Sequence, residues 1–142
     1  MCCFFIYIWY KLYTMDNTKL LQQIERAVYK KGYVETAFPS TTVGTANADS
    51  SAIMVDISKM VFGNINMQIT WTGFNTVDAI VKLQMSNDGT NWVDVTDGAY
   101  AIGAASGTTA IVAAYAASQY VRVDFAKGTN SAGTFGVLLS FK

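Results

Sequence analysis

The side chains of this chain that can do chemistry are carboxylates, amides and one indole gathered in Ser86-Asn87-Asp88-Gly89-Thr90-Asn91-Trp92, with Asp94 and Asp97 just beyond. Polar groups and an aromatic ring so close together suit ligand binding. The amides and carboxylate exchange hydrogen bonds with a hydroxyl-rich ligand, and the ring stacks on a sugar face. Asn87, Asp88, Asn91 and Trp92 are therefore the candidate ligand-binding residues. Three nearby aspartates also raise calcium, but Asp88, Asp94 and Asp97 lack the alternating ligand spacing of a calcium loop. An Asx turn with two solvent-facing carboxylates is the preferred account.

Reaction chemistry is harder to find. The chain holds no histidine, and its 2 cysteines are the neighbours Cys2 and Cys3. A Ser-His-Asp triad or a histidine-bearing zinc site cannot be built from it, and adjacent cysteines make neither a Cys₄ site nor a disulfide framework. The glycines fall in turns rather than between a strand and a helix, so no phosphate loop is indicated. No pair of acids is singled out for glycoside hydrolysis. The expectation is a non-enzymatic protein with no catalytic residue, no metal and no cofactor.

The candidate residues occupy a turn, and alternation on either side defines the hairpin that holds it. Ala79, Val81, Leu83 and Met85 share one face, while Asp78, Lys82, Gln84 and Ser86 fall on the other. The turn residues can bond their own backbone, and Gly89 can take positive φ. Trp92 is out of phase with Val93 and Val95. Packing across the hairpin or into the core is weighed above ligand stacking for it.

Length and composition bound the rest. A chain of 142 residues suits one domain with a real core. With 51% hydrophobic residues, 14% charged residues and a formal net charge of +0, it is neither disordered nor a nucleic-acid binder that works through a basic surface. Basic residues do concentrate at the front, where Lys11, Lys19, Arg26, Lys30 and Lys31 outnumber Asp16 and Glu25. That excess reads as a solvated helix face before it reads as a site for an acidic partner.

Four segments follow. Residues 1–14 are apolar and aromatic, about half the ~20 residues that a membrane-spanning helix needs, so no membrane span is expected. An upstream start codon is the favoured explanation, with Met15 the natural beginning; a sticky assembly segment and a degraded signal-like stretch are the alternatives. Residues 15–32 read as one amphipathic helix, capped by Asp16 or Asn17 and closed by Gly32. Leu20, Leu21, Ile24, Ala27 and Val28 recur at three- and four-residue spacing and form its apolar stripe. This stripe either covers the β-domain or binds a partner, and its five residues are the candidate partner-binding set. Residues 33–50 read as a linker: a short strand over 33–38, stopped by Pro39, then a run rich in Ser, Thr, Ala and Gly.

Residues 51–142 read as strands. Ile53, Val55 and Ile57 alternate with Met54 and Asp56, and Ile65, Met67, Ile69 and Trp71 alternate with polar residues. Beyond the hairpin come weaker strands around residues 100–102 and 108–113, then Val121, Val123 and Phe125, and finally Phe135, Val137, Leu139 and Phe141. About eight strands without helical patterning predict a mainly β fold, an antiparallel jelly-roll-like β-sandwich preceded by the one helix.

The segment 85–95 resembles the Ser-x-Asp-Gly-x-x-Trp hairpin of discoidin-like and related carbohydrate-binding β-sandwiches. It also resembles a hairpin of small virion proteins of tailed bacteriophages. There Ser-Asn-Asp-Gly-Thr-Asn-Trp is followed by a strand like Gln119-Tyr-Val-Arg-Val-Asp124 and a turn like Lys127-Gly-Thr-Asn-Ser-Ala-Gly-Thr134. Both later pieces are present, so the resemblance covers residues 50–142; the cysteine pair of discoidin domains is not. The resemblance implies a virion structural protein of the head-decoration or head-fibre type. Its expected partners are capsid or other virion proteins and further copies of itself, taken as a trimer, without nucleic acid or membrane. The discoidin-like alternative implies a glycan held by residues 87–92 or 127–133.

Overall fold

A computed structural model describes residues 32–44, 46–56, 63–114 and 118–142. The helix expected over residues 15–32, with its stripe Leu20, Leu21, Ile24, Ala27 and Val28, and the extension 1–14 lie outside the described residues apart from Gly32.

Among the described residues there are nine strands and no helix: β1 (Tyr33–Thr42), β2 (Ala48–Asp49), β3 (Ile53–Met54), β4 (Asn64–Thr72), β5 (Ile80–Ser86), β6 (Val93–Ala101), β7 (Gly107–Ala114), β8 (Tyr120–Ala126) and β9 (Thr134–Phe141). They pair antiparallel in two sheets. The first runs β1-β9-β4-β7 and the second β2-β8-β5-β6, with β3 on the same edge of β8 as β2. When β2 and β3 are taken as halves of one broken strand, the order is that of a jelly roll. Ser50 bridges the break: its N–H donates to the Val123 carbonyl at 2.8 Å, and its hydroxyl accepts the Val123 N–H at 2.9 Å.

Period-two alternation builds the core. Ile65, Met67, Ile69 and Trp71 on β4 meet Phe135, Val137, Leu139 and Phe141 on β9, and all are buried. The second sheet supplies Val81, Leu83, Val121, Val123 and Phe125 from the opposite side. Phe125 and Phe135 stack across the two sheets with ring centroids 3.9 Å apart, and Phe38 and Phe74 extend the cluster. Sheets that interdigitate in this way exclude water from both inner faces, which is the main stabilising term of the fold. The buried Trp71 indole also donates to the Ala104 carbonyl at 2.8 Å. Its ring lies over Gly107, where a Cβ would come within 2.7 Å of it.

Two expectations need correcting. Residues 33–50 are not a linker: Tyr33–Thr42 forms the ten-residue edge strand β1, and Ala48–Asp49 forms β2. Pro39 does not end β1 because it sits at an irregularity of an edge strand, where a missing N–H need not cost a ladder bond. Likewise, the hairpin's second strand and the weak strand near residue 100 are one element, β6, interrupted by a bulge. Lys82 faces Ala99 while Gln84 already faces Asp94, and Asp97 takes a φ of 60° in the residues between.

Candidate functional site

The hairpin turn is a closed hydrogen-bond system centred on Asp88. Its carboxylate accepts the N–H groups of Thr90 and Asn91, each at 2.8 Å, the Asn91 side-chain amide at 2.7 Å and the Ser86 hydroxyl at 2.9 Å. Donors so concentrated favour the ionised form. The Asn91 and Thr90 N–H groups, then the Asn91 and Ser86 side chains, hold Asp88 well below the usual carboxylate range. Ser86, buried at the root of the turn, also accepts the Gly89 N–H at 2.9 Å. Asp88 thus acts as the Asx-turn residue that the spacing suggested.

Three of the four candidate ligand residues meet in one place. Asn87, Asp88 and Asn91 line a shallow recess of about 370 Å³ with Met85, Ser86, Val93 and Ser118. Trp92 is not among its lining residues. Its ring lies against Arg122, whose guanidinium carbon is 4.5 Å from the ring centroid. Val93 pairs with Met85 on the recess side and is 67% exposed, whereas Val95, further into the core on the same face, is buried. The turn therefore puts its amides on one side and its aromatic ring on another.

Arg122 belongs to a lattice of charges across the outer face of the second sheet. It pairs with Asp49 at 2.8 Å and donates through Nε to Gln84 at 2.8 Å. Gln84 donates to Asp94 at 2.7 Å, and Asp94 pairs with Lys82 at 2.9 Å. The Gln84 and Lys82 hydrogen bonds lower the Asp94 pKa, and the Asp94 contact raises that of Lys82. Asp124 goes the other way: partial burial and the neighbouring Asp49 charge raise it. Asp94 is thus tied into this ladder, Asp88 into the turn, and Asp97 stands in the bulge. The three aspartates considered for calcium do not converge, and no metal-ligating cluster occurs among the described residues.

A second polar knot joins loops far apart in sequence. Asp78 accepts the Thr76 hydroxyl at 2.6 Å and both the N–H and hydroxyl of Thr129 at 2.8 Å, which bring its pKa down to about 2. Asn130, fully buried, accepts the Thr76 N–H at 2.9 Å and donates to the Lys127 carbonyl at 3.0 Å. The 127–133 loop, the other proposed glycan contact, is thereby tied down by its own polar groups. Reading the sequence missed Asp78 and Arg122 as organisers. The signal for Arg122 was present, since Lys82, Gln84, Arg122 and Asp124 occupy outward positions of strands whose inward positions are all apolar.

The outer face of the first sheet is different in kind. One row across it is Val34, Ser140, Asn66 and Val112, and the next is Thr36, Leu138, Gln68 and Ala110. Thr70 and Gly136 follow, beneath a recess of about 290 Å³ that Ser40 and Thr72 help to line. None of these side chains is ionisable.

No family model matches the chain, and no curated protein does. Solved structures are similar in fold. The PBSX exported protein XepA aligns at 15% identity and a TM-score of 0.56, over 78% of this chain and 37% of its own, so this chain spans little more than a third of that protein. Weaker likenesses are to the PRD1 vertex protein, at 10% identity and a TM-score of 0.43 over 78% of this chain and 94% of that one, and to a carbohydrate-binding module. The latter is the C-terminal CBM6 of LamC, a marine laminarinase from Zobellia galactanivorans, at 8% identity and 0.43 over 79% and 94%. At 15% identity the likeness to XepA shows the fold alone, an antiparallel β-sandwich.

Proposed function

We propose that this chain is a non-enzymatic structural protein of a bacteriophage virion, a capsid decoration or head-fibre component. The helix expected over residues 15–32 anchors it to capsid proteins or sister copies, and the sandwich is displayed as one unit of a homo-oligomer. The observation that carries this reading is the division between the two outer faces. On the second sheet Lys82 pairs with Asp94 and Arg122 with Asp49 within one ladder, while the rows of Val34 and Thr36 on the outer face of the first sheet are uncharged. Such a face can be buried against a neighbour without desolvating a charge, as repeated surface proteins require. The resemblance of residues 86–92, 119–124 and 127–134 to small virion proteins agrees with it.

The test is mass spectrometry and immunogold labelling of particles purified from the source of this sequence. The chain should be present in many copies per particle and should be lost when Leu21→Glu and Ile24→Glu interrupt the apolar stripe. Its absence from particles would overturn the proposal.

The recess beside Asn87 and Asn91 favours a second reading, a carbohydrate-binding module that aids attachment to a host surface. A glycan array probed with the full chain and with the Asn87→Ala, Asn91→Ala double variant decides it. Binding by the parent that the variant loses supports this reading, and an array silent for both removes it.

A further inference from the structure

Among the described residues β7 is an outermost strand of the first sheet, and it lacks what the other open edges have. β1 carries Pro39 and two register shifts, and the β2–β3 edge is broken into two-residue pieces. β6 is bulged and carries Asp94 and Asp97. Prolines, bulges, charges and shortness are the devices that keep sheet edges from pairing with other chains. β7 has none of them. Its sequence is Gly-Thr-Thr-Ala-Ile-Val-Ala-Ala, and it pairs with β4 without a shift, from Ala114 opposite Asn64 to Gly107 opposite Trp71.

The phase of the ladder shows which backbone groups are left over. Asn64 and Lys142 exchange both backbone hydrogen bonds at 2.9 Å, so Asn64 directs its polar groups toward the β9 side. Antiparallel strands alternate, so Ile65, Met67, Ile69 and Trp71 point theirs toward β7. The β7 residues opposite Asn66, Gln68 and Thr70 are Val112, Ala110 and Thr108, and they direct N–H and C=O away from β4, to the open side. All three are exposed, Val112 by 62%.

We infer that β7 pairs with β7 of a second copy of this chain, antiparallel about a two-fold axis near Ala110, so that two four-stranded sheets become one continuous sheet. A strand run antiparallel to itself offers donors to acceptors in both directions, which is the self-complementary contact a two-fold dimer needs. The facing side chains are small and uncharged, so no like-charge repulsion opposes the approach. The inference rests on the edge itself and stands apart from the virion reading.

Sedimentation velocity and amide hydrogen exchange on the full chain test it. The chain sediments as a dimer or an even multiple, and the amides of Thr108, Ala110 and Val112 exchange about tenfold or more slowly than in a dissociated variant. Val112→Lys puts a charge at the seam, and Ala110→Pro removes an N–H that β4 does not use. Both dissociate the pair while leaving the sandwich folded by circular dichroism. Should Ala110→Pro fail to fold, Val112→Lys, altered at an exposed side chain, carries the test alone. A monomer at all concentrations overturns the inference. So does an oligomer in which those three amides exchange as fast as in Val112→Lys, because the chains then associate elsewhere.

Discussion

A Cβ placed on Gly128 would lie 2.5 Å from the Asp78 carboxylate carbon, so the loop after β8 and the approach to β5 meet with no room for a side chain between them. Gly128 also has a φ of 59°, in the region that favours glycine. The contact lets Asp78 take both donors of Thr129 and lets Asn130 reach Thr76. A sandwich held at this end by polar groups of two loops fixes how β5, β8 and β9 enter the core.

Gly128→Ala and Asn130→Ala are therefore expected to destabilise the fold without touching its hydrophobic core. The first forces a side chain into a left-handed backbone and against Asp78, at a cost of about 1–3 kcal/mol. The second leaves the Thr76 N–H without its acceptor and takes the side-chain donor from the Lys127 carbonyl, which keeps the Asn130 N–H at 3.1 Å, on the order of 1–3 kcal/mol. Urea unfolding measures both. Parent-like midpoints would mean that the knot is decoration.

Acid should loosen the same knot. The Asp78 pKa lies near 2 in the fold, below the ordinary aspartate value of 3.8, so the unfolded chain binds a proton more readily than the folded one. Its stabilisation is complete above pH about 4 and is lost as pH falls toward 2. Asp88 is lowered as well and contributes in the same direction. Asp78→Asn should lower the melting temperature at pH 7 and flatten its fall between pH 4 and 2. A melting temperature equally steep in parent and variant would assign the acid sensitivity to other carboxylates.

Two of the tryptophans separate core from surface. Trp71 is 4% exposed, is hydrogen-bonded and packs beside Tyr100, so Trp71→Ala should cost about 3–5 kcal/mol. Trp92 is half-buried beneath Arg122, and Trp92→Ala should cost about 1 kcal/mol from the lost cation–π contact. Equilibrium unfolding of both variants checks the order. A loss at Trp92 as large as at Trp71 would place it in the core.

Period-two alternation makes most of the sandwich legible in the amino-acid sequence. Ile65 to Trp71 and Phe135 to Phe141 alternate cleanly because each strand has one face against the opposite sheet and one facing out. Where the backbone breaks that alternation, the pattern misleads. β1 shifts register twice around Pro39 and presents Ser and Thr outward, so it has a linker's composition while pairing as a strand. β6 bulges around Asp97, so its buried positions Val95 and Gly98 are three residues apart and a two-residue period fails across it. The Asx role of Asp88 is readable because its donors are its immediate neighbours. That of Asp78 is not, because Thr129 and Asn130 are its neighbours only after folding.

Asp124 predicts the opposite pH behaviour from Asp78. Partial burial, and then the charge of Asp49 beside it, raise its pKa, so the folded chain binds this proton more tightly than the unfolded one. Its ionised form therefore weakens the fold at neutral pH, and the penalty fades as pH falls below the folded value. Asp124→Asn keeps the shape and removes the charge. It should raise the melting temperature at pH 7 and give no gain near pH 3, where the parent carboxyl is already neutral. Lys82 pulls the other way by attracting the same carboxylate. A lower melting temperature at pH 7 would show that this attraction outweighs burial, and that Asp124 belongs to the stabilising ladder of Arg122, Gln84 and Asp94 rather than being its strained member.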